Sequence, residues 1–343
     1  LASRKRDRPA LYRGRARGKG PILRARLITG VPTALVQGGA IELQRITAVD
    51  HVIIEWPETG IESALAERVT AVSSLGSYFE TLDLEGGVEL VRKGERIRDT
   101  ILSERLRLTL GAGPRLEKLR AEGKPFLISE QAGKRRTLSA ANEITLFFRD
   151  GKLHRLDTAG TSKLLDQTDE QRTVIQASQL TSKYKEGIPV SLLASGPVRL
   201  ERGGENQPLI ATAQTMKVHY TRDGKLRESE LLGELQLSQR TQQGKIELMG
   251  ERGLIRTGGE IIEVSGVHPP LLQSMTDTGE VSSSTTASSF WLNSVDHGIE
   301  AKGPVETRLP GSKPVTTSGL PISQQFPAPK LRKPSNPLNQ VKT

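Results

Sequence analysis

The 343-residue chain contains no cysteine, which excludes a disulfide framework, cysteine-based zinc sites and thiol catalysis. Aromatic residues are only 3% of it, so Leu, Ile and Val carry the apolar content. A thin, extended β structure needs fewer large core residues than a globule does. No window approaches 18 consecutive apolar residues, so no helix-type membrane span is written in it. No Gly-x-Ser-x-Gly elbow, Walker loop, dinucleotide fingerprint or His-Glu-x-x-His occurs. The five histidines, His51, His154, His219, His268 and His297, include no pair at ligand spacing. Carboxylates are scattered and often alternate with Lys or Arg, the ordinary pattern of a solvated strand face. No catalytic residue, metal site or cofactor is therefore assigned, and the chain reads as a protein that is not an enzyme.

The net charge of +10 is uneven. Residues 1–26 hold ten Lys/Arg against Asp7, a net of +9, and residues 310–343 hold five basic residues and no acid. That leaves −4 for residues 27–309. A mildly acidic body with few aromatics weighs against nucleic acid as a partner, since that needs a basic folded surface and rings on which bases stack. A basic tail suits a solvated segment, or contact with an anionic membrane surface at roughly 1 kcal/mol per Lys/Arg. The chain opens on Leu1, which leaves room for a signal or anchor upstream.

What is present is a repeat. The stretch 209–237 shows it best. Met216, Val218 and Tyr220 alternate with Lys217 and His219, the period of a half-buried strand. Asp223-Gly224 signals a hairpin turn. Gly233 then opens a second alternating run through Leu235 and Leu237. A glycine followed by a short apolar run recurs at Gly39, Gly87, Gly123, Gly160, Gly196, Gly233, Gly266 and Gly303, at intervals of 48, 36, 37, 36, 37, 33 and 37. Such a period marks a solenoid or array, and these units carry strands.

Along the chain, residues 1–20 read as a basic, disordered tail. An array of about seven to eight units of ~36 residues fills 21–309, with a division into two sub-arrays placed near 111–136. Residues 310–343 read as a Pro/Ser-rich, disordered tail. Residues 63–72 are rich in good helix formers, yet the repeat assigns them to a strand. Arg115 to Glu122 has helix-like spacing and is assigned to a loop or one helical turn that interrupts the array. Asp-Gly-Lys-Leu occurs at both 150–153 and 223–226.

The phrase Ala-x-x-Met/Ile-x-Val/Leu-x-Tyr/Phe, then Asp-Gly-Lys-Leu, then Gly-x-Val/Leu-x-Leu, is clearest at 211–237, 140–165 and 287–309. It resembles the OstA-like family, the periplasmic lipopolysaccharide-transport proteins that serve as bridge or as membrane-anchored docking partner. The likeness covers about 34–309 in looser form. It implies an all-β, elongated, twisted jelly roll: a V-shaped two-sheet stack that holds lipopolysaccharide, or a related lipid, by its acyl chains. It also implies a periplasmic location and end-to-end strand pairing with other OstA-like domains. Alternation supplies the candidates for the groove lining: Leu106, Leu108, Leu110, Ile144, Leu146, Phe148, Leu180, Met216, Val218, Tyr220, Leu235, Leu237, Phe290 and Leu292. The competing readings are a structural or adhesive β-solenoid with a closed core and a carbohydrate-active solenoid enzyme. The last requires acids clustered on one face.

Overall fold

The computed structural model describes residues 10–13, 21–35, 41–73, 79–94, 97–111, 115–131, 134–168, 172–203, 209–222, 224, 226–241, 244–256, 261–293, 298–312, 314–317 and 322–324. Gly39, Asp223, Lys225, His297 and most of the two tails lie outside them. The chain is all-β: among the described residues 27 antiparallel strands form one hydrogen-bonded assembly, with one short 3-10 turn at Pro57–Thr59.

Strands β1 (Ala10–Arg13), β2 (Ile22–Ala25) and β3 (Leu27–Leu35) lead in. Four long strands follow: β4 (Ile41–Trp56), β5 (Ile61–Ser73), β6 (Phe79–Lys93) and β7 (Arg98–Leu110). Eight short ones come next: β8 (Leu116–Glu122), β9 (Phe126–Gln131), β10 (Lys134–Ala140), β11 (Glu143–Arg149), β12 (Lys152–Ala159), β13 (Ser162–Thr168), β14 (Arg172–Ala177) and β15 (Gln179–Lys185). A second long set is β16 (Ile188–Arg202), β17 (Leu209–Tyr220), β18 (Leu226–Thr241) and β19 (Gly244–Arg256). The last set is β20 (Ile261–Ser265), β21 (Leu271–Met275), β22 (Val281–Thr286), β23 (Ser289–Asn293), β24 (Ile299–Lys302), β25 (Val305–Arg308), β26 (Val315–Thr317) and β27 (Ile322–Gln324).

The registers resolve into two ladders. Sheet I contains β9, β10, β13, β14, β21, β22, β25 and β26, and sheet II contains β8, β11, β12, β15, β20, β23, β24 and β27. The eight long strands belong to both. β16, for example, pairs through Ile188 to Ser195 with β15 in sheet II and through Arg199 to Arg202 with β14 in sheet I. Each long strand bends between its halves, so the sheets meet along one edge, the corner. The hairpin turns line the two opposite rims, and the cross-section is a V. Between β7 and β16 the corner is crossed by chain alone, and ten strands close a hydrogen-bonded ring there. At about 4.8 Å per strand, either ladder runs on the order of 80 Å.

The glycine series marks the corner. Gly87, Gly123, Gly160, Gly196, Gly233 and Gly303 all stand there with positive φ. The strand does not restart at Gly233: β18 runs through it, with the register slipping between Leu232 and Leu235. The irregular 48-residue interval has a plain cause. Asp50 and His51 hold the first corner, at φ of 70° and 55°, and Asp50 lies one period before Gly87. At Gly123, Gly160, Gly196, Gly233 and Gly303, and at Gly86 where Gly87 itself is open, the glycine is needed because a polar side chain of the neighbouring stretch of chain lies over it. A Cβ on Gly123 would stand 2.6 Å from the Cβ of Glu104, far inside van der Waals contact.

Residues 63–72 lie in β5, a strand. The segment Arg115 to Glu122 is a correction: it forms β8, hydrogen-bonded on both sides, and not a loop or helical turn. Its register slips between Thr109 and Leu110, so Leu116 and Leu119 face inward three residues apart and imitate helical spacing. Both ladders run through 111–136. The tails add β1 at one end and β26 and β27 at the other. Among the described residues no helix is long and apolar enough to cross a membrane.

At the β11–β12 hairpin, Asp150 and Gly151 have φ of 51° and 75°, the pair of positive values a tight hairpin requires. A Cβ on Gly151 would meet nothing within 4 Å. Gly151→Ala is therefore expected to cost only the left-handed penalty, about 1–2 kcal/mol, read as a shift of the urea midpoint.

Candidate functional site

The inner faces of the V pack into one hydrophobic cluster from Leu23 to Val305. Pairing carries inward side chains from strand to strand without a gap. One row of sheet II runs from Leu108 through Leu119, Leu146, Leu156, Ser182 and Leu192 to Val218. It continues through Ser229, Ile255 and Ile262 to Leu292. Of the fourteen lining candidates, Leu106, Leu108, Leu110, Ile144, Leu146, Phe148, Leu180, Met216, Val218, Leu235, Leu237, Phe290 and Leu292 are at most 8% exposed and belong to this cluster. Tyr220 is half-buried and packs against it. Leu235 and Leu237 line sheet I, and the other twelve line sheet II. His219, between Val218 and Tyr220, faces outward and is exposed.

Nearer the mouth, sheet I changes character. On consecutive strands β6, β7, β9, β10, β13 and β14 the register aligns Arg92, Asp99, Ser129, Arg136, Asp166 and Thr173. They share faces with buried residues such as Leu90, Ile101, Leu127, Leu138, Leu164 and Ile175, so they point inward. Arg92 Nε donates to Asp99 Oδ2 at 3.3 Å, and Ser129 Oγ donates to Asp99 Oδ1. Arg136 gives Asp166 Oδ2 two bonds, at 3.1 and 2.6 Å. Asp99 and Asp166 thus depart from the solvated-face pattern expected of the scattered carboxylates. Buried charge is tolerated here because each carboxylate is paired and hydrogen-bonded.

Opposite this row, sheet II places Phe148, Tyr184 and Tyr220 near its rim. The Arg92 guanidinium lies 4.6 Å from the Phe148 ring centroid, and that of Arg136 lies 5.6 Å from the Tyr220 centroid. Burial works against the charge of Arg136, but Asp166 more than compensates, and its pKa is raised. Burial pushes the Tyr184 hydroxyl up, with Arg136 opposing, and pushes Tyr220 up to about 12 in the same way. An acid whose folded pKa is raised stabilises the fold fully below its unfolded value near 10 and loses that contribution as pH rises through its folded value. Stability is thus expected to fall between about pH 10 and 12, and less steeply in Tyr220→Phe, in urea midpoints taken across that range.

Spacing could have revealed this row, because it obeys the glycine period. Ser129 follows Arg92, and Asp166 follows Ser129, by the 37-residue step; Asp99, Arg136 and Thr173 do the same. Phe148, Tyr184 and Tyr220 are spaced by 36. The outer faces carry exposed cross-strand pairs such as Arg252 with Glu230 at 2.8 Å, each of small value to stability. Among the described residues no group of three or more His, Asp or Glu is placed to hold a metal. Comparison of the chain with family models, curated proteins and solved structures gave no match.

Proposed function

We propose that this chain is a non-catalytic lipid carrier of the periplasm, which holds acyl chains of lipopolysaccharide or a related amphiphile between its two sheets as bridge or docking component toward the outer membrane. The observation that carries the reading is one continuous cluster of buried apolar residues between sheets joined along one edge only. Such sheets can splay about the corner without breaking ladder hydrogen bonds. Acyl chains then fill the space between the parted inner faces, at about 0.8 kcal/mol per buried CH₂. Rows of similar residues offer a lipid a path with no deep trap.

The same reading accounts for the ends. Among the described residues β1 and β3 at one end, and β26 and β27 at the other, each pair on one side only. Open edges of this kind suit strand addition by OstA-like domains. The ten basic residues within 1–26 suit contact with an anionic membrane surface.

A second reading, a structural or adhesive β array with a closed core, is favoured by the near-complete burial of the lining candidates. Titration of the purified chain with lipopolysaccharide, using a fluorescent fatty acid as competitor, separates the two. Saturable, competed binding supports the carrier. No binding by the folded chain supports the closed array.

A further inference from the structure

We infer that Arg92 and Arg136 form a clasp across the mouth of the V, closing the middle of the interior to lateral entry. Three observations carry it. First, each arginine is anchored on its own sheet by an aspartate of the neighbouring strand: Asp99, itself held by Ser129, and Asp166. Second, each reaches the opposite sheet and lies on the face of an aromatic ring, Phe148 for Arg92 and Tyr220 for Arg136. Third, both ring contacts stand at the mouth. Leu90 and Val88 lie between Arg92 and the corner on β6, and Leu138 and Ala140 between Arg136 and the corner on β10.

The chemistry suits a latch better than a wall. A planar guanidinium bound to a carboxylate keeps its faces free to stack. The ring contact is the one part of the assembly that joins the two sheets, so it can open while both ladders stay intact. Beyond Thr173 the row on sheet I passes through one more cation, Arg202, and then Leu209, Gln239 and Ile246 replace charge at the mouth. Trp56 and Ile61 do so before it. The stretch from β6 to β14 is thus the latched segment: among the described residues its row joins two arginines each to an aspartate of the next strand and to a ring of the opposite sheet. What enters is taken from the carrier reading; the clasp itself rests on geometry alone.

The chain's lack of cysteine gives a clean test. A single Val218→Cys, 0% exposed in the parent, reports on the interior beside the clasp, and Val264→Cys, also 0% exposed, reports on it outside the latched segment. The probe is the rate of modification by a small maleimide under native conditions. Arg136→Met and Tyr220→Leu are each expected to speed labelling at 218 by about tenfold, the scale of one desolvated cation–π contact, and to leave 264 unchanged. Tyr220→Phe keeps the ring and is expected to label as the parent does. Should Arg136→Met fail to fold, Tyr220→Leu against Tyr220→Phe still decides, because the half-buried Tyr220 ring can be removed without leaving a buried charge alone. Equal rates at 218 in all variants, or equal acceleration at 264, overturn the clasp. A clasp that passes in a chain that binds no lipid leaves the latch standing and removes only the cargo.

Discussion

Replacing Asp99 by leucine is expected to destabilise the fold by about 3–5 kcal/mol, the cost of leaving a buried cation without its partner. The side chains of Arg92 and Asp99 are only 11% and 8% exposed, so water cannot take the place of the missing carboxylate. Ser129 loses its acceptor in the same step. The matched double variant, Arg92→Met with Asp99→Leu, is expected to recover most of the loss, because two apolar groups of similar volume need no partner. Arg252→Ala, which breaks an exposed pair on the outer face, should cost less than about 1 kcal/mol. Urea midpoints of the three variants and the parent measure all of this. A double variant as unstable as Asp99→Leu would mean that the row does more than neutralise itself.

The second large effect is expected at the corner. Gly123→Val combines two penalties that Gly151→Ala separates. The backbone at Gly123 has φ of 81°, where a β-branched residue is a steric outlier. The new Cβ also meets the Cβ of Glu104 at 2.6 Å, and two strand backbones would have to move apart. The left-handed cost of about 1–2 kcal/mol and an overpacking cost of about 1–3 kcal/mol add to roughly 2–5 kcal/mol. Glu104→Gly in the Gly123→Val background removes the clash and leaves the backbone strain. Recovery of part of the loss is expected there; none would place the whole effect in φ.

These two sites also show how far the fold can be read from residues alone. The corner is legible because one steric demand recurs: wherever a strand bends from one sheet to the other under a neighbour's side chain, glycine is favoured, and the spacing survives. The rule fails at the first corner, where Asp50 and His51 adopt positive φ without glycine. The lining rows are legible from alternation, as with Met216 and Val218. Alternation fails where a bulge shifts the face, and so β8 passes for a helical turn. The polar row escapes because an arginine or aspartate in a strand ordinarily marks the solvent side. Arg136 and Asp166 point inward, and these partners lie 30 residues apart in the chain. Only the shared period connects them.

The central claim is that the space between the sheets receives acyl chains. Site-specific photo-crosslinking tests it most directly. A photoreactive side chain at position 218 faces the interior, and the same group at 219 faces solvent on the same strand. With lipopolysaccharide added to the folded chain, a crosslink at 218 and none at 219 is the predicted result. Equal labelling at both positions, or none at either, would contradict the carrier and leave a closed β array.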